Sequence, residues 1–150
     1  MAKGGNIMKI KKYLMSMMLL TGSIMADKPE ISLLPDWELI EIDKAVKRNA
    51  PADNHQDLVK LLIAIRKAEN GGEGREFGIM NDKADTYSKQ AGWCASTCFK
   101  NYIRWLKTDM KKPYLVYLAN RYAPVGAAND PDGLNINWLK NVVYWLEVQK

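Results

Sequence analysis

Imidazole and thiol are scarce in this sequence. Its 150 residues include one histidine, His55, and two cysteines, Cys94 and Cys98. A single imidazole far along the chain from both thiols makes a His/Cys metal centre unexpected, and nothing in the pattern asks for a cofactor. No internal repeat or low-complexity tract divides the chain. With 47% hydrophobic and 26% charged residues it describes one ordinary domain with a single core. A long apolar run is missing too. Residues 13–25 carry no charge, but that stretch is about 13 residues, short of the ~20 that a membrane-spanning helix needs.

The short run has a different layout. Lys9, Lys11 and Lys12 precede it, Ala26 offers a small residue for cleavage, and Asp27-Lys28-Pro29 opens a polar segment. This order predicts a secretory signal peptide over residues 1–26, with Met8 as the better start and residues 1–7 as an upstream extension. No cysteine follows the run, which disfavours a lipoprotein. The expected product is residues 27–150, secreted or periplasmic, monomeric and without a stable membrane anchor once the signal is removed.

Removing the signal also removes most of the charge. The chain has 22 Lys and Arg against 17 Asp and Glu, a net +5, and four of those lysines (Lys3, Lys9, Lys11, Lys12) lie in residues 1–26 with no acid beside them. What remains is 18 against 17. The basic balance therefore gives no support for nucleic acid as a partner. The cysteines stand four apart, in Cys94-Ala-Ser-Thr-Cys98. On a helix their Cα atoms would be ~6 Å apart, near the upper end of disulfide range. Export favours oxidation, but a bridge there closes a very short loop and stabilises little. A disulfide and two free half-buried thiols are both open readings.

Periodicity predicts a mainly α domain, all-α or α-dominated α+β. Residues 27–35 read as extended, broken by Pro29 and Pro35. Helices are expected over about 37–48, with Asp36 as cap, and from a cap at Asp53 or Asn54 to residue 69. Further helices are expected over about 84–106, from Pro113 through Tyr122, and over about 135–148. The last is apolar nearly all round (Ile136, Trp138, Leu139, Val142, Val143, Tyr144, Trp145, Leu146), the pattern of a core helix. Between the second and third helices, Glu76-Phe77-Gly78-Ile79-Met80 reads as a small β element or an extended cleft wall.

One acid stands out against this frame. Leu58, Leu61, Leu62 and Ile65 form an apolar helical face, and Glu69 follows Ile65 by four residues and so continues it. Asn70, Gly71 and Gly72 then end the helix. A carboxyl at a buried helix end, facing a glycine turn, suits a group kept protonated for general-acid work. A glutamate that turns outward as the helix frays is the competing reading.

The residues here carry a resemblance. The segment Ile63-Ala-Ile-Arg-Lys-Ala-Glu69-Asn-Gly-Gly72, followed by Glu76-Phe-Gly-Ile-Met80, resembles the core of lysozyme-like enzymes, in particular the goose-type lysozyme and lytic transglycosylase branch. There a helix ends in the catalytic Glu and a G-[LI]-M-Q segment lines the cleft. Gly78-Ile-Met80 matches three of those four positions, and Asn81 replaces the Gln. The stretch from Tyr117 to Trp138, containing Arg121-Tyr-Ala-Pro124, is similar to a block in phage-associated and bacterial lysozyme-like proteins. It also resembles the transglycosylase Y-[NA]-x-G region, where a Tyr approaches the catalytic Glu. The resemblance covers roughly residues 55–145.

The resemblance implies a lysozyme-like helical bundle with a cleft, acting on peptidoglycan glycan strands at MurNAc–GlcNAc linkages. An alkoxide leaves poorly, so cleavage needs an acid to protonate the leaving oxygen. An apolar pocket raises such an acid's pKa, to roughly 6 in lysozyme itself. Glu69 would take this role. Members of the branch often work without an obvious second carboxylate, using the substrate's N-acetyl group, and no compelling second acid is evident here.

Glu76, Phe77, Ile79, Asn81, Tyr87, Tyr122 and Asn129 are the expected substrate-binding residues. Tyr122 would hydrogen-bond the sugar or Glu69, although it also continues the Leu115, Leu118, Ala119 stripe that core packing explains. Tyr87 and Trp93 are aromatic candidates for stacking on sugar rings, or else core. Glu76 is either a cleft carboxylate or a partner of Arg75 or Arg121. Asn129 and Asp130 precede a proline, and turn formation accounts for both. A rival spacing, Glu-x8-Asp-x5-Thr of phage-type lysozymes, is met by Glu73, Asp82 and Ser88 with Ser for Thr. A non-catalytic wall-binding or virion-associated protein of the same fold is the alternative from another class.

Overall fold

A computed structural model describes residues 33–150. The signal peptide expected over residues 1–26, and most of the extended stretch 27–35, lie outside the described residues. The described chain is mainly α. Its helices are α1 (Asp36–Asn49), α2 (His55–Glu69), α3 (Tyr87–Trp105), α4 (Tyr114–Tyr122) and α5 (Trp138–Val148). Short 3-10 turns, Ala52–Asn54 and Leu134–Asn137, lead into α2 and α5. Among the described residues no helix is long and apolar enough to cross a membrane.

Each helix starts and stops for local reasons. Pro35, not Asp36, sits at the N-cap of α1, and its carbonyl accepts from the Glu38 and Leu39 amides. Asp36 and Glu38 in the first turn, with Lys47 and Arg48 in the last, oppose the helix dipole. α2 ends on Asn70 in the left-handed region (φ 47°), its N–H on the Arg66 carbonyl. α3 begins at Tyr87 rather than near Ala84. Asn81 organises a turn through the Lys83 and Ala84 amides, and the Thr86 side chain then accepts from the Lys89 amide.

α2 runs through the middle. It lies along α5 and also touches α1 and α3, while α1 lies along α3 and α4 rests on α3 and α5. Ile42 and Val46 of α1, Leu62 and Ile65 of α2, Cys94 and Cys98 of α3, Leu118 of α4 and Val142 of α5 are fully buried together with Phe77. Both cysteines are free thiols, more deeply buried than the half-buried reading had them. The Tyr114 hydroxyl donates to the Cys98 carbonyl at 2.7 Å, and the Trp105 indole to the Lys112 carbonyl at 2.8 Å, which ties down the connection between α3 and α4.

Two expectations change. α5 is not surrounded by core: it buries Trp138 and Val142 and leaves Val143, Tyr144 and Val148 exposed, with Ile136 just ahead of it 69% exposed. Its apolar residues outnumber the positions that face α2. Residues 76–80 form no strand; the described residues contain none. Their polar backbone groups are satisfied by one side chain instead. The fully buried Gln90 accepts from the Phe77 and Ile79 amides through Oε1 and donates through Nε2 to the carbonyls of Gly74, Ile79 and Ala84. A buried carboxamide replaces the missing strand partner.

Candidate active site

The centre is the end of α2. The apolar phase of Leu58, Leu61, Leu62 and Ile65 carries Glu69 inward, as the spacing requires, and its side chain is half-buried. The left-handed Asn70 and the two glycines then turn the chain back across the helix end. Gly71 is needed there, since a Cβ on it would run into the Arg75 carbonyl.

The returning chain presents Gly78 directly to the Glu69 carboxyl. A Cβ on Gly78 would collide with Glu69 Oε2 and stand 2.5 Å from Cδ and 2.9 Å from Oε1. Gly78 also holds φ at +69°, so the backbone calls for glycine, and a side chain there would displace the Glu69 carboxyl. On its other oxygen Glu69 is held by α5: Trp138 Nε1 donates to Oε1 at 2.7 Å. The Trp138 ring stacks on Tyr122 at 5.1 Å and 27°. The Tyr122 hydroxyl donates to the Phe77 carbonyl at 2.5 Å. Residues from α2, α4 and α5 and from the 71–86 loop therefore meet at one carboxyl.

Burial drives the electrostatics of this group. Loss of water raises the Glu69 pKa above the ordinary glutamate value, and the Trp138 hydrogen bond offsets this only in part. No other carboxylate or cation contributes to that shift. The carboxyl is thus biased toward its protonated form by an apolar setting and held by a neutral donor. It can give up a proton to an oxygen brought against it. Tyr122 stays neutral, its pKa pushed well up by burial, by the Cys94 and Cys98 thiols beside it and by Glu69.

The other expected residues separate into groups. Tyr122 reaches the centre but spends its hydroxyl on Phe77, so it positions the loop rather than offering a free group to a sugar. The Phe77 side chain is fully buried against Tyr87, at 5.4 Å between rings, and cannot line a cleft; only its backbone takes part. Ile79 is half-buried, with its amide on Gln90 and its carbonyl also accepting from Arg75. Asn81 is exposed and serves the turn before α3. Asn129 is exposed in the loop between Tyr122 and Trp138, while its neighbour Asp130 is buried and accepts from the Gly126 and Asn135 amides. Trp93 is partly exposed on α3.

Glu76 and Tyr87 belong to a second place, a pocket of about 420 Å³ that Glu69 does not line. Glu76 pairs with neither Arg75 nor Arg121: it accepts from the Gly74 amide, and Arg75 is taken by Asp82. The Tyr87 hydroxyl donates to Glu38. The rival set is not gathered into one apolar site either. Glu73 is exposed, Asp82 is 96% exposed on its ion pair with Arg75, and Ser88 is half-buried in the first turn of α3.

Sequence reasoning missed three contributors. Trp138 reads as core, yet a buried indole carries an N–H that needs an acceptor, and an inward carboxylate was the acceptor without a donor. Gln90 is a polar residue on the buried face of α3, a mismatch with the stripe that marks it. The Glu38–Arg66 pair joins residues 28 apart and has no local signature. Among the described residues no group of three or more His, Cys, Asp or Glu side chains is arranged to hold a metal. Compared with family models, with curated proteins and with solved structures, the chain matches none.

Proposed function

We propose that this domain cleaves the glycan strands of peptidoglycan at MurNAc–GlcNAc linkages as a lysozyme-like muramidase, acting outside the cytoplasm after export. One observation carries the reading: the Glu69 carboxyl is half-buried, fixed by the Trp138 indole at 2.7 Å, and packed directly against the backbone of Gly78 in space that a side chain there would take. A neutral glutamine would serve the Trp138 indole as well. Burial opposes the charge of Glu69 and no cation answers it. A general acid is helped by both features, a pKa raised by burial and a fixed direction of delivery.

In this mechanism the glycosidic oxygen lies against Glu69, which protonates it as the C1–O bond breaks. The positive charge that develops on the sugar is then met by the substrate's N-acetyl oxygen. Water attack gives a reducing end; attack by the MurNAc 6-hydroxyl gives an anhydro-sugar. Analysis of product ends by mass spectrometry separates hydrolysis from lytic transglycosylation.

The test is release of dye-labelled fragments from peptidoglycan by the wild type and by Glu69→Gln. The amide keeps the oxygen that accepts from Trp138 and loses the proton. Activity is expected to fall by about 10²-fold or more. Full activity in Glu69→Gln overturns the assignment. A wild type that binds the wall without cleaving it identifies a non-catalytic wall-binding protein instead.

A further inference from the structure

The pocket beside the 71–86 loop has a chemistry that the Glu69 reading does not use. Its floor is a closed network. Glu38 is buried and accepts from Arg66 Nε at 3.0 Å, from Arg66 Nη2 at 3.3 Å and from the Tyr87 hydroxyl at 2.9 Å. That carboxylate and that guanidinium answer each other. Trp37 stands at the wall, 55% exposed and packed edge-on to Tyr87 at 4.8 Å.

The remaining charges are of one sign. Glu73, Glu76 and Asp85 also line the pocket, and of these only Asp85 has an ion pair among the described residues, with Lys89 at 2.6 Å. Arg75, next to Glu76 in sequence, is occupied by Asp82 and by the Gly74 and Ile79 carbonyls. Glu76 is 7% exposed. Its Oε1 accepts from the Gly74 amide at 3.1 Å, and its Oε2 is buried with no partner. A buried carboxylate oxygen without a donor is costly in a finished site. The group that would satisfy it is a donor carrying positive charge.

We propose that this pocket binds a primary ammonium group on an aliphatic stem, with the ammonium toward Glu76 and Glu73 and the stem against the Trp37 ring. An exposed indole face attracts both a cation and the methylenes next to it. A volume of about 420 Å³ holds a chain of four or five carbons with its head group. Two sources share this chemistry: a free amine or amino acid, and the diamino-acid side chain of a wall peptide still attached to glycan. The pocket adjoins the end of α2 through Arg66, Gly71 and Gly72, so a tethered ammonium would be held within a few residues of Glu69.

The experiment titrates the full chain with Nα-acetyl-lysine methylamide and follows the Trp37 indole N–H resonance, assigned through Trp37→Phe. The Nε-acetylated form, which has lost the charge, is the control. The charged compound is expected to shift the resonance saturably and the neutral one to leave it in place. Glu76→Gln should weaken binding about fivefold, and Glu73→Gln, at an exposed position that leaves the fold intact, about twofold to threefold. Equal shifts with both compounds, or unchanged affinity in both variants, overturn the proposal. The source is then read from wall fragments with free or acetylated stem amines, bound to Glu69→Gln protein. Weaker binding after acetylation identifies the tethered amine; equal binding, with the lysine compound still recognised, identifies a free one. No arm depends on turnover, so failure here and failure of the Glu69 assignment are separate results.

Discussion

Replacing Gly78 by alanine tests the geometry of the site more directly than removing the acid does. The substitution adds one methyl group, and that group has two distinct costs. The first is conformational: at φ +69° a non-glycine residue pays about 1–2 kcal/mol. The second is steric. The new Cβ would occupy the space of Glu69 Oε2 and lie 2.5 Å from Cδ, so the carboxyl must leave and break its 2.7 Å hydrogen bond from Trp138. An indole N–H left unpaired in that setting costs about 1–3 kcal/mol. Together they predict a loss near 3 kcal/mol, or roughly 10 °C in Tm for a domain of this size. Gly126 provides the reference. It holds φ at +76° with nothing within 4 Å of a built Cβ, so Gly126→Ala carries the conformational cost alone. Thermal and urea denaturation of both variants, and of Gly78→Ala in a Glu69→Ala background, close the cycle. With the carboxyl gone, Gly78→Ala should fall to the Gly126→Ala level. Dye release should drop at least 10²-fold in Gly78→Ala with Glu69 still present, because the acid is displaced. Equal costs at Gly78 and Gly126, or equal costs in the two backgrounds, would refute the placement of Glu69 against residue 78.

Three other outcomes follow from the same contacts. Glu69→Gln should raise Tm at neutral pH, since it removes a carboxylate that burial disfavours; the native pKa lies above the unfolded one, so wild-type stability rises as pH falls through that window and the gap between the two proteins narrows. Trp138→Phe removes the donor that favours the charged form, so the Glu69 pKa should rise further and the high-pH limb of the dye-release profile should move upward; a limb that stays put would show that this bond does not tune the acid. Gln90→Leu strips five hydrogen bonds from the 71–86 loop and should cost about 2–4 kcal/mol, with hydrogen exchange at the Phe77 and Ile79 amides accelerating ahead of that in the helices.

The sequence reveals the helices because each has local causes: the apolar phase of α2, Pro35 and Pro113 ahead of α1 and α4, the glycines after Glu69. The inward direction of Glu69 is legible for the same reason. What cannot be read locally is what meets it. Trp138 comes from 69 residues away, and whether an apolar helix puts a given indole on a carboxylate or in solvent depends on which face packs. α5 shows the difficulty, with hydrophobic residues all round and only one side covered. The strand-like pattern at residues 76–80 misleads because hydrophobic alternation cannot tell a ladder from a loop held by Gln90. The motif around Phe77 and Ile79 suggests cleft-lining side chains, while the amides of the same two residues are what the fold uses.

These remote contacts also explain how an unfavourable group is kept in place. The stretch around Gly78 is fixed by α3 through Gln90, by α4 through the Tyr122 hydroxyl, and by its own Arg75, whose guanidinium bonds the Ile79 carbonyl. Glu69 itself is fixed by α2 and by the Trp138 indole of α5. The loop and the carboxyl therefore depend on four helices that pack for ordinary hydrophobic reasons. The carboxyl contributes one hydrogen bond, from Trp138, and its charged form is disfavoured by the burial around it. Glutamine at position 69 would keep the acceptor for Trp138 without the charge that burial disfavours. An ionisable group held where its charge is disfavoured is what the proposed general acid requires, and the cost in stability is what Glu69→Gln measures.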